Sequence, residues 1–100
     1  MREGKQRLDK WLWFARFAKT RSLAARLVED GFVRVNGVRV VVAAKQVGAG
    51  DVLTVAAPHV TAVIRILLPG ERRGPAPEAR LLYEDLRGDD GALVTEAEGD

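Results

Sequence analysis

The chain has 100 residues, 47% of them apolar, with 16 Lys and Arg against 14 Asp and Glu for a formal net charge of +2. One domain is expected at this length, burying about 60–65% of its unfolded surface, with no disulfide to support the core because cysteine is absent. A lone histidine excludes ordinary Cys/His zinc sites, no apolar run reaches the roughly 20 residues of a bilayer span, and the charged opening lacks the apolar stretch of a signal peptide. These features predict a cytoplasmic protein with no metal, no cofactor and no membrane contact.

Leu8, Trp11, Leu12 and Ala15 recur at helical spacing, and Asp9 in the first turn complements the dipole, so a helix is expected over 8–18. Its other face carries Lys10, Trp13, Phe14 and Phe17, which calls for cover on two sides. Trp13 is either packed under such a cover or a platform on which unpaired bases stack. Thr20 is placed to cap a second helix over 21–30, with Leu23, Ala24, Leu27 and Val28 as its stripe and Gly31 as a left-handed terminator. From Phe32 to Val40 the pattern alternates around Asn36-Gly37, a strong hairpin signal. Gly48 to Asp51 reads as a turn before a strand from Val52 to Val55, and Val60 to Leu68 as a further strand. Pro69-Gly70 ends it, Glu71 to Ala76 form a loop, and Pro77 opens a short helix with Ala79, Leu82, Tyr83 and Leu86 on one face; that helix is the expected second cover for the first. The acidic stretch 89–100 is too poor in apolar residues to fold, leaving 1–88 as the domain and 89–100 as a disordered tail.

The near-neutral total conceals a polarised chain. Residues 1–45 carry a net +7, residues 46–83 +1, and residues 84–100 −6. A basic front half favours a polyanion, whereas the acidic end repels one; the alternative is that Lys and Arg only solvate helix faces. Lys19, Thr20 and Arg21 gather at the start of the second helix, where free N–H groups and the positive dipole end suit phosphate, although Thr20 serves equally as a cap. A two-residue Asn36-Gly37 loop sets Arg34 opposite Arg39. Such a like-charge pair is unfavourable alone and becomes favourable with an anion above it.

The stretch RLDKWLWFARFAKTRSLAARLVEDGFVRVNGVRV resembles the RNA-binding domain named after ribosomal protein S4, a likeness continuing through Gly50-Asp51 and covering about residues 7–55. The strings LDKWLW, KTRSLA, RRGPA and LYEDL resemble the bacterial heat-shock protein fifteen family and extend the likeness to about residue 86. The resemblance implies an α+β fold: two N-terminal helices packed on a small twisted antiparallel sheet, with RNA across the second helix and the hairpin. It implies RNA contacts at Arg7, Lys10 and Arg16 around the first helix, at Lys19, Thr20, Arg21 and Arg26 around the second, and at Arg34, Asn36, Arg39 and Lys45 from the sheet side. The implied partners are ribosomal RNA, the large ribosomal subunit and peptidyl transfer RNA, the implied role is rescue of blocked translation, and a monomer is expected. The acidic end departs from the family's shared pattern.

Two other functions are weighed. This RNA-binding module often precedes a pseudouridine synthase domain, but the 45 residues after the motif are too few for one, and His59 has no evident nucleophile or acid partner, so no enzyme is expected. A DNA-binding helix-turn-helix regulator would use the two short helices; the adjoining hairpin with Arg34 and Arg39 favours structured RNA, recognised by shape and phosphate.

Overall fold

The computed structural model describes residues 5–58 and 60–86. The expected tail over 89–100 and His59 lie outside the described residues. Strand β1 (Gln6–Arg7) leads into helix α1 (Leu8–Phe14), followed by α2 (Arg21–Glu29) and by strands β2 (Val33–Val35), β3 (Val38–Val40), β4 (Gln46–Val47), β5 (Val52–Ala57) and β6 (Val60–Ile66). Helix α3 (Ala76–Ala79), a 3₁₀ turn at Arg80–Leu82 and strand β7 (Tyr83–Asp85) complete the order.

Both N-terminal helices end in the same Schellman hydrogen-bond pair. In α2 the Phe32 N–H donates to the Leu27 carbonyl at 3.1 Å and the Gly31 N–H to Val28 at 3.0 Å, with Gly31 at φ 85° as the sequence suggested. In α1 the Phe17 N–H donates to Leu12 at 2.9 Å and the Arg16 N–H to Trp13 at 3.1 Å, so the left-handed position at φ 68° falls on Arg16. The left-handed turn ends α1 at Phe14, and because an arginine takes the place usually held by glycine the stop is hidden from sequence inspection, which is why the expected helix ran on to residue 18.

Five strands form one antiparallel sheet in the order β3-β2-β5-β6-β7. The hairpin has the expected register, Arg34 opposite Arg39 and Val35 opposite Val38, with Asn36 at φ 53° and Gly37 at φ 86° as a type I′ turn requires. Asn36 also fastens the turn to β5: its Oδ1 accepts the Val52 N–H at 2.9 Å and its Nδ2 donates to Asp51 at 3.2 Å. A separate two-stranded piece, β1 with β4, had no sequence signal.

The last element differs most from expectation. Pro77 does help open a helix, but α3 stops after four residues, and Tyr83 to Asp85 are a strand rather than a continuation of it. The open edge of β6 supplies backbone partners, Arg65 and Glu84 pair across it at 2.8 Å, and the Leu86 N–H donates to Val63 at 2.9 Å. Helical spacing was a local coincidence overridden by a non-local sheet edge.

Helices and the inner sheet face share one core in which Leu8, Trp11 and Leu12 meet Ala24, Val28, Val33, Leu53, Val55, Ile64 and Ile66. Leu23, placed on the apolar stripe of α2 by its spacing, is exposed instead. Trp11 is fully buried, donates its indole N–H to the Leu68 carbonyl at 2.9 Å, and lies 6.2 Å from the rings of both Phe17 and Tyr83. The second cover over α1 is therefore Tyr83 of β7 together with the chain after β6. There Gly70 passes so close to Phe14 that a Cβ would stand 2.4 Å from the Phe14 Cβ, and Gln6 clasps Gly70 through two hydrogen bonds of 2.9 and 3.0 Å.

Replacing Trp11 with Ala is expected to cost ~3–5 kcal/mol in chemical denaturation, whereas Trp13→Ala, at a partly buried position on the edge of the core, costs distinctly less. Burial raises the Tyr83 phenol above its ordinary pKa of 10.0. Its contribution to stability is whole below that pH and falls as pH rises from there through the folded value. Tyr83→Phe should flatten this alkaline decline when denaturation midpoints are compared across pH.

Candidate nucleic-acid interface

Asp9 is buried, at 4% exposure, and is the one charged side chain so placed among the described residues. The Arg7 Nε–H and Nη2–H both donate to it at 3.0 Å as a fork, the Lys10 N–H donates at 2.7 Å, and an Arg21 nitrogen lies 3.9 Å away. The hydrogen bond and charge of Asp9 raise the Arg7 pKa above its ordinary value. Around this carboxylate the first N–H groups of α1 are taken by backbone, Leu8 donating to Lys45 at 2.8 Å and Asp9 to Ala43 at 3.1 Å. One acid thus orients two arginines from different elements, and both remain about half exposed.

Helix α2 begins as expected, with Thr20 Oγ1 accepting the Leu23 N–H at 3.0 Å and Lys19 and Arg21 exposed on either side. Arg21 and Arg26, five positions apart, project roughly 140° apart around the helix axis. The structure accordingly parts them, Arg21 turning to Asp9 on α1 and Arg26 lining a groove of about 780 Å³ between α2, the chain after α1 and the end of β5. Arg16, Lys19, Arg26 and Arg73 bring four cations to that groove, against the single carboxylate of Asp30.

Two of these cations also hold the groove together. Arg16 donates to the Gly74 carbonyl at 2.8 Å. Arg73 donates to the Trp13 carbonyl and, at 3.3 Å, to that of Ala18, while its guanidinium carbon sits 5.2 Å from the Trp13 ring centre. Burial, and then the charge of Arg16, lower the Arg73 pKa. Trp13 is therefore a packing partner for Arg73 and lies 5.1 Å from the Phe14 ring. Sequence reasoning did not single out Arg73 as a site residue; its only local signal was the basic pair Arg72-Arg73 ahead of Gly74-Pro75, and Arg72 turns instead to Glu78 at 3.0 Å.

The sheet-side candidates occupy a third place. Arg34 and Arg39 face each other on the exposed side of the hairpin, and the Arg39 stem runs past Gly31 at the end of α2, 3.5 Å from where a Cβ would stand. Asn36 is engaged by the turn, Lys45 is exposed, and Lys10 sits with its ammonium 5.8 Å from the Phe14 ring centre. Among the described residues no group of three His, Cys, Asp or Glu side chains is placed to hold a metal ion, and no helix is long and apolar enough to cross a membrane.

Comparison with known proteins bears on this arrangement. Residues 6–53 match the S4 domain family. The chain is 44% identical over 85 residues to the heat shock protein 15 homologue of Haemophilus influenzae, covering 85% of this chain and 64% of that one. It is 48% identical over 79 residues to the homologue of Aeromonas salmonicida, covering 79% and 59%. It therefore spans about three fifths of the length of these curated relatives. Among solved structures, the trimeric heat shock protein 15 of Vibrio cholerae is similar with a TM-score of 0.74 and 46% identity, over 81% of each chain.

The two uses of arginine and lysine around the groove separate under mutation. Arg16→Ala loses the Gly74 hydrogen bond and should lower stability by about 1 kcal/mol. Lys19→Ala touches no such bond and should leave the thermal midpoint within the scatter of surface substitutions. Equal midpoints for the two variants would contradict the structural role of Arg16.

Proposed function

Taking as premise that this chain belongs to the heat shock protein 15 family and carries its S4 domain, we propose that it binds structured RNA through the cations around α2. The proposed setting is the ribosomal RNA of the large subunit carrying peptidyl transfer RNA, where binding assists the rescue of stalled translation in the cytoplasm. One observation carries the reading. Lys19 and Arg26 stand exposed beside the capped start of α2, and no carboxylate pairs with either among the described residues, so both are available to phosphate. Arg7 and Arg21, oriented by Asp9, and Arg34 with Arg39 on the hairpin extend the interface. This layout suits a folded backbone read by shape.

The protein acts by binding and not by catalysis. Among the described residues the one buried carboxylate, Asp9, is engaged with Arg7 and the Lys10 amide, which supports a role in holding the surface together. A single copy is taken as the binding unit, and the trimer of the Vibrio cholerae relative makes sedimentation of the free protein part of the test.

Alanine at Lys19 or Arg26 should weaken binding to many RNA sequences alike and reduce the slope of log affinity against log salt by about 0.7–0.9 for each phosphate that is no longer neutralised. An unchanged slope would remove these residues from the interface. Cosedimentation with separated ribosomal subunits, with and without bound peptidyl transfer RNA, tests the setting. The expected result is enrichment on large subunits that carry it; preferential binding to duplex DNA would support a DNA-binding regulator instead.

A further inference from the structure

The groove beside α2 has an apolar floor as well as a basic rim. Leu23, 49% exposed, lines it with Leu27, Phe32 and Pro58, beneath Lys19 and Arg26. Phosphate oxygens satisfy the rim and leave that floor wet. An acidic peptide with an apolar middle satisfies both, and the chain contains one. Residues 87–100 hold five acids and one base, with Ala92, Leu93 and Val94 between the pair Asp89-Asp90 and the trio Glu96, Glu98 and Asp100.

Strand β7 aims this segment at the groove. It runs antiparallel to β6, with Tyr83 opposite Ile66, Asp85 opposite Ile64, and the Leu86 N–H donating to Val63. The backbone at Leu86 is thus travelling along β6 towards Val60, which lines the groove together with Ala57 and Pro58. From the level of Val63 to that of Val60 is three residues of extended chain, roughly 10 Å. Leu93 is seven residues beyond Leu86 and can lie up to about 25 Å from it, more than that step, so length sets no obstacle.

We propose that residues 89–100 dock into this groove in cis, with Leu93 and Val94 on the apolar floor and the flanking carboxylates against Lys19, Arg26, Arg16 and Arg73. If the groove also carries RNA, a consequence that rests on the function proposed above, the segment and RNA exclude one another. The segment then acts as a built-in competitor that only a sufficiently charged RNA displaces.

The absence of cysteine makes the test direct, because Thr95→Cys in the full chain offers one attachment point for a nitroxide label. Amide signals of Lys19, Leu23, Leu27 and Val60 should lose intensity relative to the reduced label, and recover as salt shortens the Debye length from about 10 Å at 0.1 M to 3 Å at 1 M. Adding Glu96→Gln, Glu98→Gln and Asp100→Asn should restore the signals at low salt. No loss at the groove, or an equal loss at Arg34 and Arg39 of the hairpin, would overturn the docking. Loss seen only between labelled and unlabelled molecules in a mixture would overturn its cis character. A structured RNA hairpin added to the labelled protein should relieve the loss. RNA that binds without relieving it overturns the competition, and failure of RNA to bind at all while the loss persists overturns the RNA reading and leaves the docking intact.

Discussion

The carboxylate of Asp9 is the constraint on which the basic surface depends. A charge with 4% exposure is tolerated only when its lone pairs are met, because desolvation of an unpaired carboxylate costs several kcal/mol. Here they are met by the Arg7 fork and the Lys10 amide, with Arg21 nearby. Those partners come from β1, α1 and α2, so one carboxylate gathers Arg7 and Arg21 on a single face, while the α1–α2 packing itself rests on Leu8, Trp11 and Leu12 against Ala24 and Val28. The cations on the outside are held in a pattern by an acid on the inside, which lowers the ordering that a bound backbone would otherwise require.

Opposite this polar clasp, aromatic packing around Trp11 supports the wall of the groove that Phe17 lines. Trp11 against Phe17 and Tyr83 ties the end of α1 to the last strand, and the left-handed turn at Arg16 swings the chain so that Arg16 and Arg73 meet the groove from the side opposite α2. Arg73 is held over Trp13 and by two carbonyls. These interactions join residues about sixty positions apart, so the groove is a product of the tertiary fold and not of any one segment.

Legibility in the sequence followed the range of the interactions. The capped start of α2, the Gly31 stop and the Asn36-Gly37 hairpin with Arg34 opposite Arg39 were readable because each is decided within a few residues. The early stop of α1 was hidden because an arginine took the left-handed position, and β7 was hidden because the partner that makes Tyr83–Asp85 a strand lies on β6. Within the site, residue type announced the cations but not their company. Arg21 and Arg26 are turned to different neighbours, Arg16 is tied to Gly74, and Arg73 joins the groove from a loop whose basic pair did not show which arginine would turn inward.

The most direct test of the central claim, that cations organised around Asp9 and α2 grip folded RNA, is amide chemical-shift mapping of the protein titrated with a fragment of large-subunit ribosomal RNA. The account predicts perturbations running from Arg7 and Lys19 along α2 to Arg26 and onto Arg34 and Arg39. Perturbations confined to the exposed Leu68 and Leu81, which line one shallow depression, with α2 silent, would contradict it.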